Sequence, residues 1–251
     1  SVDLLGKEFG WELEDDSNVT AVSAALVNGE AVGVYQDAGE ASWWSGPEPL
    51  PDNVRIFTSV EALHSSGCRA ALIITDRILS ESSRVSLPRH TVTYRPRSLV
   101  VGIGCNRGTK SSVIEDALKI VFAEHGLSIK SVRNIATIDL KQSEAGLVEF
   151  ARKYRLPGVY FDKEALSNAD FPSAPSAAAL NSVGTPSVCE SAAMLSSGNT
   201  SLIVPKVSHK RKVTIAVARS VFSEKSQSGG KLFVIGIGPG DAEQMTFKAR
   251  E

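Results

Sequence analysis

The sequence predicts an α/β protein made of two small α/β domains, the C-terminal one with a largely parallel sheet flanked by helices. Three observations carry this. Short Val/Ile-rich runs alternate with helix-period segments from Leu99 onward, the pattern of a parallel sheet with crossover helices. Within Leu99–Thr109 a Val-rich apolar run breaks into a loop with three glycines, Gly102, Gly104 and Gly108, and a helix pattern follows at once. Finally, Arg95-Pro96-Arg97 reads as a junction, because proline drives its predecessor out of helical conformation.

In the first domain, residues 1–95, Val22–Val27 and Ala31–Tyr35 read as two strands of a hairpin around Asn28-Gly29. A punctuated loop follows at Trp43–Pro51, in which Trp43 and Trp44 either form a ligand platform or seal the loop onto the core. Val54–Phe57, Ala70–Thr75 and Thr91–Tyr94 read as strands, with a short helix around Val60–Ser65.

In the second domain, residues 98–220, the helix after the glycine loop carries apolar residues at Val113, Ala117, Leu118, Val121 and Phe122. Ser112 and Glu115 have capping-box spacing at its start, and Gly126 marks its end. Ser131–Ile138 is a strand that runs into Asp139-Leu140-Lys141, and Glu144–Tyr154 is a helix. Gly158–Phe161 is the next strand, and Ser167–Ala179 is irregular. Gly184-Thr185-Pro186-Ser187 then precedes a helix over Val188–Ser196 that stops at Gly198. Leu202–Val204 and Val213–Ala218 are strands on either side of the basic run Lys206–Lys212, which reads as a solvated loop or as an anion contact. Residues 221–230 read as a linker. Leu232–Asp241 begins another strand and glycine loop, within a stretch, 231–251, too short to bury a core.

Of the 251 residues, 42% are hydrophobic and 22% charged, an ordinary globular composition. The net charge of −1 argues against nucleic-acid binding through bulk charge, and no apolar run has membrane-spanning length. Neither nucleic acid nor membrane is therefore an expected partner. Cys68, Cys105 and Cys189 are few and far apart, without a CxxC, so no disulfide framework or zinc site is expected and a reducing cytoplasm is the simplest compartment. The opening Ser1–Gly10 reads as the tail of a helix and the closing Thr246–Glu251 as the start of one, which leads to the expectation of a chain cut from a longer protein.

A strand, a glycine loop and a helix N-terminus make either a plain β-α turn or an anion site, where outward N–H groups meet a favourable helix dipole. Here Arg107 and Lys110 add charge, while the glycine spacing fits neither a dinucleotide fingerprint nor a P-loop. Asp139, Glu144 and Glu190 are the acid/base candidates; the alternative for Glu144 and Glu190 is a carboxylate that favours a helix start. Cys105 reads as a thiol packed in a turn or a nucleophile beside a helix N-terminus. His64, His90, His125 and His209 show no pairing, and there is no metal-ligand cluster.

Four motifs then point to a family. Gly102–Thr109, Ala136–Lys141 with Glu144 and Gly146, Val183–Glu190 and Leu202–Lys206 together resemble the C-terminal domain of the cobalt-precorrin-5A hydrolases of cobalamin biosynthesis. Ala21–Glu30 resembles the central region of the same family, so that the likeness covers roughly residues 1–220. The family carries a further N-terminal domain ahead of this region. Leu232–Glu251 resembles the opening of a precorrin-3B C17-methyltransferase, which uses S-adenosylmethionine. The resemblance implies a fused parent whose methyl transfer lies outside this stretch, so that no cofactor is expected here.

The resemblance further implies opening of a δ-lactone on a corrinoid precursor and release of acetaldehyde by carbon–carbon bond hydrolysis, which needs water, a base and oxyanion stabilisation. Any cobalt arrives inside the substrate. The substrate is a macrocycle edged with carboxylates. For these the sequence offers Gly104, Asn106, Arg107, Gly108 and Thr109, a second loop at Gly184, Thr185 and Ser187, and the cations Lys141, Lys206 and Lys210. The other reading is a tetrapyrrole carrier, which holds and passes its ligand to the fused methyltransferase without hydrolysis.

Overall fold

The computed structural model describes residues 5–41, 43–44, 49–168 and 187–222. They form two five-stranded sheets, each between helices. The first contains β1 (Glu12–Leu13), β2 (Val32–Gln36), β3 (Val54–Phe57), β4 (Ala70–Ile74) and β5 (His90–Arg95), in the order β1-β5-β4-β2-β3. All its pairs are parallel except β1 with β5. Every residue of the central β4 is buried, as expected for a parallel strand with both faces covered. One face packs Val34, Leu72, Ile74 and Tyr94 against Trp11, Val22 and Ala25, and the other packs Ala71 and Ile73 against Leu63.

The expected hairpin at Asn28-Gly29 is not formed. Val22 and Val27 lie in a helix, α1 (Val19–Val27), which buries Val22 and Ala25 one turn apart. Gly29, at φ 74°, ends it in a Schellman motif: Glu30 N–H donates to Ala25 O and Gly29 N–H to Leu26 O. The same left-handed glycine serves a helix end as well as a hairpin, and β2 finds parallel partners on both sides instead. Short helices α2 (Val60–His64) and α3 (Glu81–Val85) complete this domain. Trp43 is buried in its core, as the sealing role requires, while Trp44 is exposed and meets it edge-on.

The second sheet contains β6 (Leu99–Cys105), β7 (Val132–Ile138), β8 (Gly158–Phe161), β9 (Leu202–His209) and β10 (Val213–Arg219), in the order β8-β7-β6-β10-β9. Its parallel part is β8-β7-β6; an antiparallel β9–β10 hairpin is added on the other side of β6. Helices α4 (Ser111–Glu124) and α5 (Ala145–Tyr154) cover one face with Leu118, Phe122, Leu147 and Phe150. Helix α7 (Val188–Ser197) covers the other with Cys189, Ala192 and Ala193, and α6 (Lys163–Ser167) adds Leu166. A Cβ on Gly102 would lie 1.8 Å from Cys189 O, so only glycine in β6 lets α7 pack this closely.

Two local readings change. Ser112 and Glu115 do not cap α4: Lys110 holds the cap position, and Glu115 bonds Lys119, Lys153 and Tyr154 instead. The basic run is not a loop throughout, since β9 extends through Lys206 to His209 and only 210–212 turn. Of the irregular stretch read at Ser167–Ala179, Ser167 ends α6 and everything after Asn168 lies outside the described residues, as do the loop Gly184-Thr185-Pro186 and nearly all of the linker and methyltransferase-like end (223–251). Among the described residues no helix is long and apolar enough to cross a membrane.

Candidate functional site

The loop after β6 sits at the carboxyl edge of the parallel strands, where ligands gather in open α/β sheets. Asn106 O accepts bonds from Thr109 N–H (3.3 Å) and Thr109 Oγ1 (2.7 Å), which closes a tight turn with Gly108 at φ 72°. Asn106 and Arg107 at its tip are exposed. Helix α5 enters directly against this turn: a Cβ on Gly146 would lie 1.9 Å from Thr109 O. The starts of α4 and α5 thus frame a cleft of about 390 Å³ lined by Gly108, Thr109, Ser111, Ser112, Glu144 and Gly146, with Lys110 and Glu149 at its sides.

Glu144 holds the N-cap position of α5, with its side chain turned away from the helix's own N–H groups and toward the anion turn. Its carboxylate accepts a 2.7 Å bond from Gly108 N–H, and Lys141 Nζ lies 3.3 Å from the other oxygen. The Gly108 N–H first, and the Lys141 ammonium with it, hold this carboxyl below the usual range. One backbone donor of the anion loop is therefore already engaged by a side chain of the protein. Burial pushes the Cys105 thiol up, which leaves it protonated and unlike an activated nucleophile.

The expected site residues fall into two groups. Gly108, Thr109 and Glu144 line the cleft, Lys141 reaches Glu144, and Asn106 and Arg107 precede Gly108 at the exposed tip of the turn. Ser187, Glu190 and Lys206 meet on the opposite face of the sheet, where Glu190 Oε2 accepts from Ser187 N–H (3.2 Å) and Oγ (2.9 Å), while Oε1 accepts from Lys206 N–H (3.0 Å). That last bond holds β9 where its register to β10 shifts, between Val204 and Val207. Gly104 lies between the groups, with Thr214 Oγ1 directed at its carbonyl. Asp139 stands apart and exposed, with its carboxylate on Leu140 N–H. Gly184 and Thr185 lie outside the described residues.

Glu149 was missed, because an exposed carboxylate in mid-helix gives no local signal. The bonds from Asn106 to the β9–β10 turn, N–H to Lys212 O and Nδ2 to Arg211 O, join residues 105 or more apart and were equally invisible. Gly146 was legible as part of a motif, and its close approach to Thr109 supplies the physical reason. Among the described residues, no three His, Cys, Asp or Glu side chains are placed to share a metal ion.

Residues 1–96 match the family model described as the cobalamin biosynthesis central region, and residues 99–218 match that of the cobalamin synthesis G C-terminus. The chain is 41% identical over 217 residues to the cobalt-precorrin-5A hydrolase of Priestia megaterium, covering 86% of this chain and 57% of that protein. It is 29% identical over 199 residues to the enzyme of the same name from Salmonella typhimurium, covering 78% and 54%. It thus spans little more than half the length of these relatives. Among solved structures, the cobalamin biosynthesis protein chiG of Agrobacterium tumefaciens is 31% identical, with 49% of this chain and 98% of that one covered and a TM-score of 0.41. With two consecutive family models accounting for residues 1–96 and 99–218, the chain belongs to the cobalamin biosynthesis G family, of which it carries the central region and the C-terminus.

Proposed function

We propose that this chain is the central and C-terminal part of a cobalt-precorrin-5A hydrolase-like enzyme, and that the cleft beside Gly108 holds a carboxylate-edged corrinoid while a lactone opens and acetaldehyde leaves. The observation that carries the reading is the cleft between the starts of α4 and α5 at the sheet's carboxyl edge, with exposed Arg107 next in the chain to its lining residue Gly108. Arg107 supplies a bidentate carboxylate contact and the first turn of α4 supplies backbone N–H donors. Glu144, ionised at neutral pH and held over the anion turn by Gly108 N–H, is the cleft carboxylate we assign to accept a proton from water. The identity of the relatives supports the substrate class.

A second reading, binding without hydrolysis, draws on one observation: Glu144 and Glu190 both have their carboxylates on backbone N–H groups, as structural anchors do. In that reading the chain holds the tetrapyrrole for an S-adenosylmethionine-dependent methyltransferase fused after residue 230. The unpaired Cys68, Cys105 and Cys189 fit a reducing cytoplasm for either. Incubating the full-length parent with cobalt-precorrin-5A separates the two. Acetaldehyde release supports hydrolysis; tight binding with no release supports the carrier.

A further inference from the structure

The turn between β9 and β10 runs from His209 to Lys212 and is closed by Lys212 N–H donating to His209 O at 3.0 Å. Its central residues, Lys210 (φ 50°) and Arg211 (φ 54°), both adopt left-handed backbone. Turns of this kind favour Asn-Gly, because each L side chain there costs free energy. Among the described residues the other non-glycine at positive φ is Arg155, a helix C-cap, where that conformation is ordinary. The hairpin tip thus keeps two cations in strained positions that glycine would relax, a pattern that accompanies function.

This turn is not free-standing. Asn106 N–H donates to Lys212 O at 2.9 Å and Asn106 Nδ2 to Arg211 O at 3.2 Å, so the same residue that opens the anion loop also fixes the hairpin tip. Arg211 and Lys212 are exposed, and the ion pair of Lys210 with Asp116 is long, at 3.8 Å, with both side chains more than half exposed. Lys210, Arg211 and Lys212 are thus tied, through Asn106, to the residue that precedes Arg107, and all four cations are exposed.

We propose that Lys210 and Arg211 form a second anion-gripping arm of the site, which takes carboxylates of a polycarboxylate macrocycle on the side away from the cleft, while Arg107 and the start of α4 take those nearest it. The inference rests on the reading of the cleft as a tetrapyrrole site. It makes the number of carboxylates on the ligand, rather than the macrocycle alone, the feature that is selected, and it couples the two arms through Asn106.

The test uses uroporphyrin, an octacarboxylate, and protoporphyrin, a dicarboxylate, titrated into the full chain by fluorescence quenching. Lys210→Gly/Arg211→Gly removes the charges and relaxes the turn. It should raise the melting temperature by a few degrees, weaken uroporphyrin binding about tenfold, and affect protoporphyrin less. Lys210→Gln/Arg211→Gln keeps the strain without the charge and should show the same loss of affinity with no rise in melting temperature. Glycine or glutamine variants that bind uroporphyrin like the parent, while Arg107→Ala binds it more weakly, would overturn the arm and leave the cleft standing. Loss in the glycine variant alone would also overturn it, since backbone and not charge would then be responsible. A parent chain that does not bind uroporphyrin, or binds it regardless of Arg107, would overturn the reading of the cleft and this inference with it.

Discussion

Asp76, two residues after β4 in the first domain, is fully buried and receives the guanidinium of Arg219 from β10 in two bonds, Nε to Oδ2 at 2.8 Å and a terminal nitrogen to Oδ1 at 2.7 Å. Ser98 Oγ donates to the same carboxylate at 2.7 Å, and Asp76 O accepts from Ser128 N–H. Beside it Ile78 N–H bonds Gly126 O, so the two sheets are joined by backbone as well as by charge. A buried carboxylate that loses its cation is left uncompensated. Arg219→Met should therefore destabilise the protein by about 3–5 kcal/mol, measured by urea unfolding; a loss under about 1 kcal/mol would mean that the pair does not hold the domains.

Gly146→Ala tests the fit of α5 against the anion turn. In an ordinary helix interior this change gains about 1 kcal/mol. Here the new Cβ would meet Thr109 O at 1.9 Å, and overpacking of that kind costs about 1–3 kcal/mol. The expected outcome is net destabilisation together with weaker corrinoid binding. A more stable protein with unchanged binding would show that helix and turn separate freely.

Glu115 predicts a pH dependence. Bonds from Lys119, Lys153 and Tyr154 lower its carboxyl from the ordinary 4.5 to about 2. A depressed pKa in the folded state stabilises above the unfolded value and loses that contribution as pH falls through the folded one. The contribution is thus complete above pH 4.5 and fades toward pH 2. Melting temperature measured across this window should fall less steeply for Glu115→Gln than for the parent; equal slopes would contradict the assignment.

Glu144→Gln separates catalysis from binding. The amide keeps an acceptor for Gly108 N–H and removes a negative charge from the anion site, so corrinoid binding should be retained or tightened. If Glu144 is the base, acetaldehyde release from the full-length parent should drop about 100-fold or more. Undiminished release would assign it to positioning the turn.

Much of the fold was legible because burial left a periodic trace. The apolar run Ala70–Thr75 reads as the wholly buried β4, and the 3.6-residue pattern ending at Gly126 reads as α4, where apolar spacing and a terminal glycine agree. Val22–Val27 misled because a short apolar run has no distinct period and Asn-Gly ends helices as well as hairpins. The cleft was legible as a glycine loop and a carboxylate at the next helix start. That Glu144 bonds Gly108 across 36 residues, and that Asn106 reaches the β9–β10 turn, depends on tertiary placement that no local pattern records.

Arg107→Ala should weaken binding of a carboxylated corrinoid by about 1–3 kcal/mol, the scale of a lost charged hydrogen bond, while stability stays unchanged because the side chain is exposed. Calorimetric titration of both proteins checks this, and equal affinities would remove the turn from the site.

The most direct measurement is amide hydrogen exchange of the chain with and without a carboxylated corrinoid. Protection is predicted across the turn 106–109, the first turn of α4 and residues 141–146. Protection confined to the first sheet, or none at all, would contradict the placement of the ligand.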